Sequence, residues 1–195
     1  MKKQLSEMTL AELWILFPII LKDHNPDYIK WYELEKENII KCVGLENIKR
    51  INHIGSSAIS GLIAKPIVDI LMEVDRNLDM EQIKIILIDN GWILMHEGNK
   101  GNEGIVLNKG YTPDGFAEKV YHLHVRYFDD WDELYFRDYL LVHNNIAKEY
   151  EKFKLSLLQK YENNRDGYTE AKTHFIKKYT EKAREEFEGR YNPEN

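Results

Sequence analysis

Apolar residues change their spacing twice along this chain. Over the first 44 residues they recur at helical intervals. Leu10, Leu13, Trp14 and Phe17 share one face after Thr9, a side chain suited to cap a helix with Glu12 closing a capping box. Asn25-Pro26-Asp27 restarts the period with Asn as cap and Pro at the first helical position. Ile29, Tyr32, Leu34, Ile39, Ile40 and Val43 follow, up to Gly44.

The period then shortens to that of strands. Ile48–Ile54 alternates, Gly55-Ser56-Ser57 forms a polar turn, and residues 66–74 are a β-branched run with Pro66 at its first position. So continuous an apolar strand predicts burial on both faces. Met80–Asp89 reads as a helix with Ile83, Ile86 and Leu87 inward. Short strands at 92–95 and 105–107 flank a Gly- and Asn-rich loop at 98–104. Turn chemistry at 111–115 precedes a longer strand at 119–128.

From Trp131 the helical period returns and holds. Ile146, Tyr150, Phe153, Leu157 and Tyr161 form one stripe; Ala171, Phe175, Tyr179, Ala183 and Phe187 form another. Helices, a β-rich centre and further helices predict an α+β fold rather than a doubly wound sheet. One domain over 1–195 is expected, with N-terminal helices at 1–44, a sheet core at 48–128 and C-terminal helices at 131–188.

Composition narrows the class. At 43% hydrophobic residues the chain builds a core, and one cysteine, Cys42, excludes a disulfide scaffold or a multi-cysteine zinc site. A net charge of −6 opposes broad coating of nucleic acid but leaves room for a local basic pocket. Lys2 and Lys3 precede an apolar run at 13–21, yet Glu7, Glu12, Pro18 and the polar Lys22-Asp23-His24-Asn25 contradict a signal peptide. The run is also shorter than the ~20 residues that span a bilayer. A cytoplasmic protein without a membrane partner is the expectation.

The chemistry concentrates between His53 and Ile70. A strand ends in Gly55-Ser56-Ser57, Lys65 follows, and Asp69 lies in the apolar strand. Gly55 permits close backbone approach to a ligand, and the two serines offer hydroxyls and N–H groups suited to phosphate. Lys65 supplies charge. Asp69 would be costly among Ile67, Val68, Ile70 and Leu71 unless paired or metal-bound. His122 and His124, two apart on a strand, project to one face, and Arg126 continues it. Arg137 offers either a planar fork for phosphate or an ion pair with Asp138, Asp132 or Glu133.

The stretch from His53 to Ile70 resembles the GrpB family of small bacterial proteins, placed in the nucleotidyltransferase superfamily. The resemblance extends to Leu16-Phe17-Pro18-Ile19, His122-Leu123-His124-Val125 and Phe136-Arg137-Asp138-Tyr139-Leu140, and so covers most of the chain. It implies a nucleotidyltransferase-like mixed sheet flanked by helices. Gly55-Ser56 would be the phosphate-facing turn, Asp69 the first metal carboxylate, and a nucleoside triphosphate the substrate, with Mg or Mn. The pattern's second acid is expected at position 71, which is Leu71. Glu73 shares the face but lies about 13 Å from Asp69, too far to share one ion. Imidazoles at 122 and 124 would shift metal preference toward Zn, Mn or Fe.

The sequence therefore supports a nucleotide-binding protein that transfers a nucleotidyl or phosphoryl group, with Asp69 and Lys65 as catalytic candidates. Gly55, Ser56, Ser57, Lys65, Arg126 and Arg137 would hold the nucleotide, and Asp69, His122 and His124 a metal. Segments resembling this family occur fused to dephospho-coenzyme A kinase, which brings coenzyme A chemistry into the expected neighbourhood. Two alternatives stand beside this reading: a non-catalytic nucleotide module with an eroded metal site, and a His/Asp metalloprotein.

Overall fold

A computed structural model describes residues 3–98 and 104–194. Most of the expected loop at 98–104 thus lies outside the described residues. The chain runs α1 (Leu10–Leu16), α2 (Tyr28–Val43), β1 (Ile48–Ile54), β2 (Val68–Val74), α3 (Met80–Asp89), β3 (Ile93–Glu97), β4 (Ile105–Thr112), β5 (Gly115–Tyr127), α4 (Asp132–Val142), α5 (Asn144–Tyr161) and α6 (Arg165–Glu186). The fold is mixed α+β.

The strands form one five-stranded sheet in the order β1-β2-β5-β4-β3. β2 pairs antiparallel with β1 and parallel with β5, while β5, β4 and β3 form an antiparallel meander. β2 is therefore interior, and every residue of it except Asp69 is buried. On one sheet face Val68, Ile70, Met72 and Val74 pack with Leu123 and Val125 against Tyr32 and Ile39 of α2 and Ile83 and Leu87 of α3. The opposite face carries Asp69, Leu71 and Glu73 beside His122, His124 and Arg126 in register. There Leu71 packs on Leu134 of α4, and α4, α5 and α6 pack together through Tyr135, Leu140, Tyr150 and Tyr179.

Local chemistry sets the element ends. Thr9 accepts from the Glu12 N–H, and its own N–H donates to the Glu12 carboxylate, the expected reciprocal cap. α2 starts at Tyr28, two residues later than expected. The Asn25 side chain accepts from the Asp27 N–H and holds Pro26 in a turn before the helix. Leu10, Ile29 and Leu34, placed inward by periodicity, are exposed. β4 and β5 both extend further than expected because the turn between them is only Pro113-Asp114, closed by the Thr112 hydroxyl donating to the Gly115 carbonyl. Among the described residues no helix is long and apolar enough to cross a membrane.

Candidate functional site

Asp69 lies at the start of β2, opposite His122 of β5 on one side and Ile54 of β1 on the other. Its side chain remains 29% exposed, so this acid of the interior strand is reachable from solvent. Gly55 follows directly after β1 with φ +71°, and a Cβ there would lie 2.6 Å from Asp69 Oδ2. The turn's backbone thus packs onto the carboxylate, which is why glycine stands at 55.

His122 Nδ1 lies 3.0 Å from Asp69 Oδ1, and Nε2 lies 2.8 Å from the Tyr111 hydroxyl. Arg165 donates to that same hydroxyl oxygen at 3.1 Å. The ionised Asp69 can only accept, so the ring proton sits on Nδ1 and is donated to it, which leaves Nε2 to accept from the Tyr111 O–H. Burial pushes the Asp69 carboxyl up, but the His122 hydrogen bond and the nearby His122, His124 and Lys65 outweigh it and hold the pKa below the usual value. Burial pushes His124 down, and its buried Nδ1 has no partner among the described residues.

Two lysines feel this carboxylate, and further cations lie beside them. Burial, then repulsion from Lys172 and Arg165, pushes Lys65 down to about 7. Burial and Lys172 push Lys154 of α5 down to about 7, and burial brings Lys172 of α6 to about 8. Lys154 donates to Ser56 Oγ at 3.1 Å and to the Ile63 carbonyl. The Lys65 and Lys172 ammonium groups lie 5.0 and 4.5 Å from the ring centroid of Tyr168, which is fully buried with a hydroxyl lacking a partner among the described residues. Asp69 is the carboxylate acting on both Lys65 and Lys172. Glu151, beside Lys154, already accepts from Lys148 and the Ile63 N–H.

Not every residue singled out in the sequence joins this cluster. Ser56–Ala58 is a single three-residue 3₁₀ turn, too short to carry a helix dipole. Ser57 is buried and bonds His53 Nε2 at 3.0 Å; His53 stacks on Tyr32, and burial pushes it down to about 4. Arg126 pairs with Glu133 at 2.6 Å over the Trp131 ring. Arg137 takes the ion-pair alternative, bonding Asp138, Asn52, the His53 carbonyl and the Tyr191 hydroxyl. Glu73, fully buried, is held by Arg50 through two bonds of 2.6 and 2.8 Å. Sequence reasoning missed Lys154, Lys172, Arg165, Tyr111 and Tyr168.

Asp69, His122 and His124 do not fit a metal ion as they stand. Both His122 nitrogens are engaged, and the cations gathered around one carboxylate repel a further positive charge. Among the described residues no three His, Cys, Asp or Glu side chains are grouped as a metal site.

A narrow hollow beside Lys65 and Arg165 is walled by Pro18, Ile20, Ile67 and Phe116. A larger cleft, about 570 Å³, lies elsewhere, lined by Glu35, Lys41, Cys42, Ile86, Trp92 and Lys109. It holds the Lys109–Glu35 ion pair but none of the clustered lysines.

The profile of the GrpB protein family matches residues 18–182, which include every residue of the Asp69 cluster. The chain belongs to the GrpB family. It is 32% identical over 161 residues to the glutamate-rich protein GrpB of Alkalihalophilus pseudofirmus, covering 81% of this chain and 91% of that one. It is also 32% identical over 174 residues to UPF0157 protein YqkA of Bacillus subtilis, covering 87% of this chain and 48% of that relative. The crystal structure of the conserved protein GrpB from Enterococcus faecalis superposes with a TM-score of 0.72 at 28% identity, covering 86% of this chain and 99% of that one.

Proposed function

We propose that this GrpB-family chain is a nucleotidyltransferase-like protein that binds a nucleotide, or a nucleotide-containing cofactor such as coenzyme A, by its phosphates beside Asp69. One observation carries the reading: Lys65 and Lys172 both lie against the Tyr168 ring within reach of the Asp69 charge, while Arg165 joins it through Tyr111 and His122 and Lys154 through the Ser56 turn. Folding against like-charge repulsion and desolvation costs stability, and a bound polyanion is what offsets that cost. Lys65 and Lys172 would meet the phosphates, with Asp69 holding His122 in one tautomer at the rim. Transfer of a nucleotidyl or phosphoryl group is part of this reading, with catalysis by positioning and charge neutralisation.

Thermal unfolding with ATP, GTP, CTP and coenzyme A tests it. A ligand at a hundredfold excess over its Kd stabilises the folded protein by about 2.7 kcal/mol. Lys65→Ala and Lys172→Ala should each shrink the response. An unchanged unfolding temperature with all four ligands refutes the proposal.

A non-catalytic nucleotide module is the second reading, favoured by Leu71 at the expected acid position and by Glu73 being committed to Arg50. Pyrophosphate release from a bound triphosphate with added acceptors separates the two.

A further inference from the structure

We propose that this chain holds its phosphate ligand with lysine and arginine side chains alone and requires no divalent cation to bind it. The inference rests on the phosphate site proposed above and says what neutralises the ligand there. Phosphate chains need counter-charge, supplied either by a metal on protein carboxylates or by protein cations. For a metal the chain is poor. Position 71 is Leu71, fully buried; Glu73 is bound by Arg50; and His122 has both nitrogens occupied.

For protein cations it is well supplied, from three separate elements. Lys65 comes from the segment before β2, Lys154 from α5, and Lys172 and Arg165 from α6. Tyr168 bridges two of them, with Lys65 and Lys172 both within 5.0 Å of its ring. Ser56 ties Lys154 to the turn packed on Asp69, and Tyr111 ties Arg165 to His122. With Glu151 engaged by Lys148, the four side chains once fully charged leave an excess near three positive charges over Asp69. Two or three linked phosphates carry about −3 to −4. A divalent ion on the phosphates would lower the charge these side chains meet.

Isothermal titration of the full chain with ATP and with inorganic tripolyphosphate, in EDTA and in excess Mg²⁺, tests this. Both probes should bind at least as tightly in EDTA as in Mg²⁺. Lys172→Met and Arg165→Gln should each weaken binding in EDTA by about tenfold or more, the loss of one charge-assisted contact. Circular dichroism confirms that each variant folds. Binding that appears only with Mg²⁺, or weakens about tenfold in EDTA, overturns this inference and leaves the phosphate site intact. Failure of both probes to bind in either condition removes the site and the inference together.

Discussion

Phosphate binding at this site should draw protons from solution. In the free protein Lys65 and Lys154 titrate near 7 and Lys172 near 8, held down mainly by burial and then by neighbouring cations, with Asp69 and Glu151 opposing. A phosphate chain among them favours the charged forms and returns each toward the ordinary lysine value of about 10.4. At pH 7.5 a group with pKa about 7 is about three-quarters neutral, and one with pKa about 8 about one-quarter neutral. Full charging of all three takes up between about one and two protons per ligand. The ligand's terminal phosphate, with a second pKa near about 6, is already ionised at that pH and contributes little. The sign follows: the bound state holds more protons, so affinity falls as pH rises. For one group of pKa about 7 the fall between pH 7 and pH 9 is about fiftyfold. Titration calorimetry with ATP in buffers of different ionisation enthalpy reads the uptake directly. Zero uptake at pH 7.5, together with an affinity flat from pH 7 to 9, would refute the reasoning.

Removing one clustered cation should stabilise the free protein while weakening binding: Lys172→Met relieves desolvation and repulsion and is expected to gain about 1 kcal/mol in urea unfolding at pH 7, and a loss of stability contradicts this. Gly55→Ala places a Cβ against Asp69 at positive φ and should cost at least about 1–3 kcal/mol by denaturant unfolding; a change within about 0.5 kcal/mol contradicts the close approach. His53, 8% exposed and pushed down by burial to about 4, binds a proton in the unfolded chain before the folded one, so stability present above pH 6.5 is lost as pH falls toward 4. The loss should reach about 3 kcal/mol, and a pH titration of unfolding in which His53→Gln is as acid-sensitive as the wild type would contradict it.

Local rules made much of the framework legible. The strand at Ile48–Ile54, the inward spacing of Ile83 and Leu87 and the Thr9 cap all depend on near neighbours, and each is present in the structure, although burial along β1 does not alternate. Doubly buried β2 was readable because an interior strand needs apolar side chains on both faces. Asp69 stood out as a carboxylate where such a strand should be apolar; parity put His122 and His124 on one face of their strand, and the parallel pairing with β2 is what turns that face to Asp69.

The cation cluster was not legible as a site. Lys154 is 98 residues from the Ser56 hydroxyl it meets, and no local pattern announces that contact. On α6, Lys172 resembles the exposed Lys177, Lys178 and Lys182, which do behave as a solvated face. One signal was available: Lys172 stands four residues after Tyr168 and Lys154 four after Tyr150, each sharing a helix face with a buried tyrosine. Arg137 and Ser57 looked suited to phosphate by chemistry alone; the structure pairs them with Asp138 and His53, contacts that no local pattern ranks against a ligand.

A crystal structure of the protein grown with ATP tests the phosphate site most directly. If the clustered cations are there to hold a polyanion, phosphate oxygens will sit within about 3 Å of the Lys65, Lys172 and Arg165 nitrogens. ATP seated instead in the cleft beside Cys42 and Trp92, with those three side chains left untouched, would contradict it.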